Sequence, residues 1–209
     1  MLHKVVQLGG KSYFWLEKTN VVSMIQEYQV SGFRVREYEE LESTNTEAER
    51  VGWSELEDKM VILTYRQTQG RGQVGNHWES EPGKNISMTV VFKPRELPAG
   101  QQFAVSMVIA LGACDFISRY VSGCSVKWPN DIYVGDRKIS GILIEHSIMG
   151  RYVGGSLCGI GVNINQERFL SDAPNPVSLF QLIGKEIPVK RALEELLDCI
   201  GKRYETIRD

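Results

Sequence analysis

Between Ser125 and Asn165 the chain reads SVKWPNDIYVGDRKISGILIEHSIMGRYVGGSLCGIGVNIN. The pattern of this run is that of β-strands. The dipeptides Gly135-Asp136 and Met149-Gly150 interrupt it at points where hairpin turns would fit. We therefore predict four strands here, at Ser125–Trp128, Asp131–Val134, Lys138–Ser147 and Tyr152–Asn165.

Outside this run, the sequence predicts blocks of strands with helices between the blocks. A helix begins near Ser43, because Thr44-Asn45-Thr46-Glu47 fits a capping box, and it extends to about Leu56. The other predicted strands are Ser12–Leu16, Phe33–Leu41, Met60–Arg66 and Asn85–Lys93, and the other predicted helices are Ala99–Val121 and Val189–Ile207. This order predicts an α+β fold, in which helices pack on a mixed, largely antiparallel sheet.

The predicted helix Ala99–Val121 has an apolar residue at every third or fourth position. We expect these residues to form one buried stripe: Phe103, Met107, Ala110, Cys114, Ile117 and Val121. Polar residues interrupt the apolar run Phe103–Ile117, which falls short of the ~20 apolar residues of a membrane-spanning helix. We therefore assign this helix to the core and expect no membrane partner.

The composition indicates one domain over residues 1–209, in which residues 1–42 look less organised and residues 1–32 are a less certain N-terminal extension. The 209-residue chain is 42% hydrophobic, and its 24 basic and 26 acidic side chains give a net charge of −2. That balance argues against a strongly basic nucleic-acid-binding protein. The N-terminus has no signal-peptide pattern, and the four cysteines are too far apart for a CxxC motif. We expect buried, reduced thiols and a cytoplasmic location.

The first candidate for chemistry is a glycine-bearing loop, Gly70-Arg71-Gly72-Gln73-Val74-Gly75, with Trp78 shortly after it. Glycines let backbone amides approach an anion. Arg71 carries a planar cation suited to phosphate or carboxylate, and Trp78 offers a stacking face. The GxGxxG spacing also occurs in many structural turns. Because no predicted helix follows this loop, we do not expect a dinucleotide-binding unit.

Three further candidates lie within the 125–165 run. Lys127-Trp128-Pro129-Asn130-Asp131 predicts a fixed bend, whose last two residues either coordinate a metal–phosphate group or cap the turn. Lys138 begins a strand in which Gly141 would let a ligand lie against the backbone, although a surface lysine is the alternative. The glycines of Gly159-Ile160-Gly161-Val162-Asn163 likewise indicate close approach by another group.

Together these segments resemble the biotin protein ligases. The motifs that carry the resemblance are, in order, Ser43-Thr44-Asn45, Gly70-Arg71-Gly72, Lys127-Trp128-Pro129-Asn130-Asp131, Lys138-Ile139-Ser140-Gly141-Ile142-Leu143 and Gly159-Ile160-Gly161-Val162-Asn163. They cover the chain from about Phe33 to Asn165, and the Lys-Trp-Pro-Asn-Asp string with its following Lys-x-x-Gly-Ile-Leu is highly specific. The resemblance implies a biotin/lipoate ligase-like catalytic domain of the monofunctional type, without an N-terminal DNA-binding domain.

The resemblance also implies a two-step reaction. The carboxylate of biotin attacks the α-phosphate of ATP, which gives biotinyl-5'-AMP and pyrophosphate. A lysine of a biotin carboxyl carrier domain, such as that of acetyl-CoA carboxylase, then attacks the mixed anhydride and AMP leaves. Two anions meet in the first step, so magnesium and basic side chains are expected to neutralise the developing charge.

Individual residues receive expected roles from the family pattern. Those expected to bind the biotin ureido ring, by hydroxyl and amide groups, are Ser43, Thr44, Asn45 and Gln67. Those expected along the biotin tail and carboxylate are Gly70, Arg71, Gly72, Lys138 and Gly141. Those expected to bind ATP are Gln73, Trp78, Asn130, Asp131 and Asn163. Lys138, together with Arg71, would stabilise charge on the reacting groups. Asp131 would orient Lys138 or serve the magnesium, which the ATP phosphates would mainly hold.

The chain departs from the family pattern in three places. Gln73 and Asn76 stand where the family's loop usually has arginines, and His77 would compensate partly if protonated. The residues before Ser43 show no helix-turn-helix pattern, so we expect no DNA binding. The sequence ends at Asp209, directly after the last predicted helix, so the C-terminal β-barrel domain of many relatives is expected to be absent.

Two other functions stay open at this point. A lipoate or octanoate transferase would have the same general fold, but those enzymes lack the Lys-Trp-Pro-Asn-Asp string. A non-catalytic biotin- or nucleotide-binding module would fit the neutral Gln73 and Asn76, although Arg71 and Lys138 argue against it. Exposed edge strands would permit a homodimer, and the sequence does not identify the carrier protein.

Overall fold

The computed structural model describes residues 5–8, 11–14, 24–73, 75–171 and 173–208. Its strands are β1 (Val5–Leu8), β2 (Lys11–Phe14), β3 (Met24–Val30), β4 (Phe33–Tyr38), β5 (Met60–Thr64), β6 (Gly70–Arg71), β7 (His77–Trp78), β8 (Ile86–Phe92), β9 (Cys124–Lys127), β10 (Asp131–Val134), β11 (Arg137–Met149) and β12 (Tyr152–Val162). Its helices are α1 (Thr44–Val51), α2 (Phe103–Ile117), α3 (Leu179–Ile183) and α4 (Val189–Arg208), and a 3-10 turn at Ala99–Gln101 precedes α2.

Eight of the strands form one mixed sheet, in the order β3-β4-β5-β8-β12-β11-β10-β9. β4 and β5 are neighbouring parallel strands. The connection that contains α1 therefore runs from the C-terminal end of β4 back to the N-terminal end of β5. The other neighbouring pairs in this sheet are antiparallel. The prediction of an α+β fold with a mixed, largely antiparallel sheet is confirmed.

The four strands predicted between residues 125 and 165 are present as β9 to β12. Their hairpins turn at Gly135 and Gly150, whose φ angles of +60° and +62° favour glycine. α1 ends earlier than predicted, because Gly52, with a φ of +82°, leaves the helix. The sequence patterns missed β1, β3, α3 and the short pair β6–β7. β3 is an edge strand of the main sheet, although it lies within the 1–32 region that we expected to be less organised.

The two faces of the sheet have different partners, because side chains alternate along each strand. Val61 and Leu63 of β5 belong to the larger core, which α2 and α4 cover, whereas Met60 and Ile62 belong to a smaller cluster on the opposite face. Gly112 lets α2 approach α4, since a Cβ there would lie 2.8 Å from the Cα of Ile200. On the second face, α1 packs against β5, β8 and β12. Helices on the first face therefore stabilise the fold, and space beside α1 is left for a site.

The buried side of α2 differs from the predicted stripe. Ala110 and Ile117 are buried, but Phe103 and Met107 are 48% and 46% exposed. The remaining buried residues of this helix are Val105, Val108, Ile109, Gly112, Ala113 and Phe116. Because apolar residues occur on all sides of this helix, their spacing does not identify the core side.

The helix at Ala99–Ile117 is long and apolar enough to cross a membrane, by length and composition alone. The expectation that the polar residues within this helix make its apolar run too short for a membrane-spanning helix is therefore wrong. Its buried residues pack against α4 and against β9, β10 and β11. We therefore assign this helix to the protein core.

The predicted capping box at the start of α1 is wrong. Ser43 is the N-cap residue and makes no side-chain cap hydrogen bond. The hydroxyl of Thr44 instead lies 2.9 Å from that of Thr89 on β8, and the carboxylate of Glu47 accepts a hydrogen bond from Arg50. The hydroxyl that could have capped the helix is thus used in a contact with the sheet.

All four cysteines are free thiols, as expected. Cys158 and Cys199 are buried, whereas Cys114 and Cys124 are only partly buried, with their sulfur atoms 2.8 Å apart. The expectation of four buried thiols is wrong for this pair, because Cys124 lies on β9, at the edge of the sheet.

Candidate active site

A cavity of about 670 Å³ lies on the second face of the sheet, beside α1. Alternate positions of β8, β11 and β12 point toward it, and several of these positions carry small residues. They include Ser87, Gly141, Gly159 and Gly161. Intervening residues such as Met88 and Cys158 belong to the larger core on the opposite face. The strand alternation thus provides both a packed core and an open floor.

The cavity brings together every predicted site residue except Gly70. The lining members of the predicted set are Ser43, Thr44, Asn45, Gln67, Arg71, Gly72, Gln73, Trp78, Asn130, Asp131, Lys138, Gly141 and Asn163. Gly70 is buried behind the amide of Gln67, and a Cβ there would lie 2.7 Å from Gln67 Nε2. That Cβ would also lie 2.3 Å from the backbone carbonyl of Trp78, so Gly70 leaves space for β7 and for Gln67 and does not face the cavity as we expected.

One end of the cavity is a cluster of hydroxyl and amide groups at the start of α1. The Thr89 hydroxyl donates to Asn45 Oδ1 at 2.6 Å and lies 2.9 Å from the Thr44 hydroxyl. The backbone N–H of Thr44 donates to Gln67 Oε1 at 3.0 Å. Asn45 rests against Gly159, where a Cβ would lie 2.3 Å from Asn45 Oδ1. These groups form a fixed polar pocket for a neutral ligand with donors and acceptors.

Arg71 is held at the edge of the cavity by two carboxylates. Its Nη1 lies 3.0 Å from Glu49 Oε1, and its Nη2 lies 2.7 Å from Glu145 Oε1. The hydrogen bond with Glu49 and the contacts with Glu145 raise the pKa of the guanidinium above its usual range. Arg71 is therefore a permanent cation whose position these two residues determine.

Lys138 forms an ion pair inside the cavity. Its Nζ lies 2.7 Å from Asp131 Oδ1, and both side chains are about a quarter exposed. Backbone hydrogen bonds with Asn175 and Val177 hold Lys138 in place. Of the two roles expected for Asp131, this geometry favours orientation of the lysine.

The ring of Trp78 lies flat against the glycines of the floor. A Cβ on Gly161 would lie 2.2 Å from Trp78 Cε2, and one on Gly141 would lie 3.0 Å from Trp78 Cζ3. The Lys138 ammonium lies 6.0 Å from the centre of the ring. The sequence pattern predicted that something must approach the glycines closely, and the approaching groups are Trp78 and, at Gly159, Asn45.

Three buried polar atoms around the cavity have no hydrogen-bond partner among the described residues: Ser87 Oγ, Trp78 Nε1 and Asn163 Oδ1. The Asn163 Nδ2 group donates to the carbonyl of Val177, so its free oxygen is fixed in direction. Asn130 also uses its amide nitrogen structurally, by donating to the carbonyl of Ile142 at 2.8 Å. Since buried polar atoms are rarely unpaired, these free atoms are candidates for ligand contact.

Glu79 ties the segment after β7 to a loop on the other side of the cavity. Its carboxylate accepts hydrogen bonds from the backbone N–H groups of Leu170 and Ser171 and from the side chain of Gln166. Burial by itself would raise the pKa of Glu79, but these hydrogen bonds outweigh it and hold the pKa below the usual value of 4.5. The carboxylate thus orders a loop that lines the cavity.

Replacing Glu79 by glutamine should lower the free energy of unfolding by about 1 kcal/mol at pH 7. Because the folded-state pKa is depressed, the carboxylate contributes stability above its unfolded pKa, and this contribution is lost as the pH falls through the folded value. The difference between wild type and E79Q should therefore shrink below pH 4.5. Urea unfolding between pH 7 and pH ~3.5 measures it, with E81Q as a control in the same segment. A difference that does not change with pH would contradict this account.

Sequence reasoning missed four polar residues of the site, Ser87, Thr89, Glu79 and Glu145. Ser87 and Thr89 alternate with apolar residues in β8, and this alternation was a usable signal. Glu79 and Glu145 act through hydrogen bonds to distant residues, for which the sequence offers no local sign. The loop residues that line the cavity without any motif are Phe169, Ser171, Ala173, Pro174 and Pro176.

No group of three or more His, Cys, Asp and Glu side chains that could hold a metal ion is found in the part of the chain that the structure describes. Asp131 is the predicted metal candidate, and it pairs with Lys138. A magnesium ion at this site would take most of its oxygen ligands from phosphates and water, as Mg²⁺ commonly does in nucleotide sites.

The family to which the chain belongs is shown by a sequence model that covers most of the residues of the cavity. The sequence model of the Biotin/lipoate A/B protein ligase family matches residues 38–163, and the chain belongs to this family. The match covers every predicted site residue.

Three similar proteins are named as ligases. The bifunctional ligase/repressor BirA of Bacillus subtilis is 27% identical over 182 residues, covering 84% of this chain and 55% of that protein. The biotin–[acetyl-CoA-carboxylase] ligase of Paracoccus denitrificans is 33% identical over 125 residues, covering 59% and 51%. The biotin protein ligase of Aquifex aeolicus in complex with biotin and ATP superposes with a TM-score of 0.69 at 25% identity, covering 83% of this chain and 71% of that one. The chain spans about half the length of the curated relatives it matches.

Proposed function

We propose that this chain carries out ATP-dependent ligation of biotin to a lysine of a biotin carboxyl carrier domain, through biotinyl-5'-AMP. The observation that carries the proposal is the composition of one cavity. It combines a pocket of hydroxyl and amide groups with a lysine–aspartate pair beside an indole ring. The similar Aquifex aeolicus protein is described with biotin and ATP, which supports the same pair of substrates here.

In this proposal the polar pocket at α1 binds the ureido ring. Thr44, Asn45 and Gln67 supply acceptors and donors whose directions are already set by hydrogen bonds with Thr89 and with the backbone. A neutral ring with N–H and carbonyl groups is complementary to such a set. The acyl tail would then extend toward the glycine-bearing loop and Arg71.

Lys138 would act where the biotin carboxylate meets the α-phosphate. Its ammonium carries three N–H donors, of which one points to Asp131, so further donors are available for phosphate and carboxylate oxygens. Because Asp131 and the backbone contacts hold the lysine before substrate arrives, no reorganisation is needed as charge develops. Trp78 would stack on the adenine, and the free oxygen of Asn163 would accept a hydrogen bond from the nucleotide. Magnesium would enter with the ATP phosphates and neutralise part of their charge.

The decisive experiment is biotin-dependent release of pyrophosphate from Mg-ATP, with and without a biotin carboxyl carrier domain. Release that requires biotin but no carrier would establish adenylate formation, and mass spectrometry of the carrier would then report the transfer step. Lipoate and octanoate serve as competing substrates, since preference for either would favour the transferase alternative. Binding of biotin without pyrophosphate release would instead favour the non-catalytic module.

Gln73→Arg should slow dissociation of the adenylate by about tenfold, because a charge-assisted hydrogen bond to phosphate contributes roughly 1.5–3 kcal/mol. Gln73 is exposed on the glycine-bearing loop and accepts a backbone hydrogen bond from Asn76, so its side chain can be exchanged without disturbing the core. Gln73→Met, which is neutral and similar in length, is the control. Dissociation of pre-formed adenylate is followed after a chase with unlabelled ligand. An equal off-rate in wild type and Gln73→Arg would contradict this role for the position.

We further propose a cytoplasmic location, no DNA or membrane partner, and a carrier domain as the protein partner. The free cysteines support a reducing compartment. The net charge of −2 argues against binding to a phosphate backbone. If the chain dimerises, the edge strands β3 and β9 are the places where a second copy could pair.

A further inference from the structure

We propose that Glu145 is a positioning residue that joins the two halves of the cavity, one carboxylate oxygen to each half. One half is the biotin-side pocket at the start of α1, and the other is the glycine-bearing loop with Arg71. This inference rests on the proposed function and assigns it a residue that the sequence motifs do not include.

The contacts of Glu145 divide between its two oxygens. Oε1 lies 2.7 Å from Nη2 of Arg71, and Oε2 accepts a hydrogen bond from Nδ2 of Asn45 at 2.7 Å. The two partners belong to separate elements, since Arg71 lies on β6 and Asn45 lies in the first turn of α1. Both line the cavity. The carboxylate is therefore a bridge between two groups that would contact the same substrate.

Glu145 is suited to this role because its own backbone is fixed. It lies within β11, where it pairs with Leu157 of β12 in the middle of the sheet. Side chains on central strands define positions more closely than side chains on loops. Glu49, the other partner of Arg71, is an exposed residue of α1. Glu49 can thus hold Arg71, whereas Glu145 holds both Arg71 and Asn45 of the polar pocket.

The position of Asn45 depends on this bridge. Its Oδ1 accepts from Thr89 and faces Gly159, so Nδ2 points toward Glu145 at 2.7 Å and toward the carbonyl of Leu143 at 3.4 Å. Loss of an acceptor at Glu145 would leave Nδ2 with only the longer contact and would release one of the two carboxylates that hold Arg71. Because binding is stronger when the contacting groups are held in place beforehand, we expect the bridge to increase affinity for biotin.

The test is the substitution E145Q, which keeps the size of the side chain. An amide has one acceptor oxygen where the carboxylate has two, so it can serve Asn45 or Arg71 but not both. We expect E145Q to weaken biotin binding by about tenfold, the loss associated with one charge-assisted hydrogen bond. E145A, which removes both acceptors, should weaken it further. E49Q, which leaves the contact between Asn45 and Glu145 intact, should weaken it less than E145Q does.

Two measurements on the full chain report the effect. Calorimetric titration with biotin in the absence of ATP gives the dissociation constant, and thermal unfolding of each variant shows whether it is folded. Limited trypsin digestion without any ligand gives the rate of cleavage after Arg71, which should rise more in E145Q than in E49Q. Because the digestion needs no ligand, its rate reports how firmly the segment around Arg71 is held even if the proposed function is wrong.

The outcomes separate the two proposals. A wild-type chain that does not bind biotin would overturn the proposed function, and the digestion would then decide whether Glu145 holds Arg71. If the wild type binds biotin and E145Q matches E49Q, or binds more tightly than wild type, the bridge is wrong and the proposed function stands. A folded E145Q with weaker biotin binding and faster cleavage after Arg71 supports the bridge.

Discussion

Lys138→Ala is expected to reduce biotin-dependent pyrophosphate release by about 10³-fold, the cost of removing one preorganised donor at a developing charge. The substitution also leaves the Asp131 carboxylate without its cation, at 2.7 Å from where the ammonium had been. An unpaired carboxylate beside the incoming α-phosphate would oppose the meeting of anions still further. Biotin affinity should fall much less, because the polar pocket at α1 does not involve Lys138.

Lys127→Ala provides the matched control. Lys127 belongs to the same motif region, but its ammonium lies over the ring of Tyr133 and it is exposed on β9. Initial rates of pyrophosphate release and calorimetric biotin titration are compared for both variants. A Lys138→Ala enzyme that retains a tenth or more of the wild-type rate would remove Lys138 from the chemical step. The double variant with Asp131→Asn tests the pairing, because neutralising the carboxylate should restore part of the lost rate.

Gly161→Ala is expected to raise the KM for ATP by about tenfold to a hundredfold, the loss associated with one aromatic–base stack. The added methyl would lie 2.2 Å from Trp78 Cε2 and 2.4 Å from its Nε1, so the ring must move. Biotin binding without ATP should change little, because Trp78 is not part of the α1 pocket. Gly159→Ala should instead weaken biotin binding and leave the KM for ATP little changed. Its Cβ would lie 2.3 Å from Asn45 Oδ1 and would displace that amide from the α1 pocket.

The control for both substitutions is Gly154→Ala on the same strand. A Cβ there meets the flexible side chain of Met149, which is exposed and can move aside. Steady-state KM values for ATP, biotin affinities and melting temperatures are measured for all three variants. If Gly161→Ala and Gly154→Ala have the same KM for ATP, the placement of Trp78 against the floor has no bearing on nucleotide binding.

Much of the fold followed from local patterns. The strands between residues 125 and 165 were predicted because a β pattern and turn residues are properties of neighbouring positions. The site residues were predicted because their motifs are contiguous, and strand alternation then brings Gly141, Gly159 and Gly161 to one face. Their expected roles toward biotin and ATP remain predictions that the variants above test.

Other features depend on which distant residues meet. Thr44 and Glu47 had the pattern of a capping box, yet Thr44 contacts Thr89 on the sheet. The buried side of α2 was predicted wrongly, because this helix has apolar residues on all sides. Packing against α4 determines which of them are buried.

The sequence alone was sufficient for the class of fold and for most of the site, since periodicity and contiguous motifs express short-range geometry. Only the tertiary structure decided how those residues are held. Glu145 reaches Arg71 across a separation of 74 residues and Asn45 across 100, and Glu79 reaches Leu170 across 91. Such partnerships arise when strands and loops pack, because a partly buried carboxylate is stabilised by donors that converge on it from elsewhere in the chain.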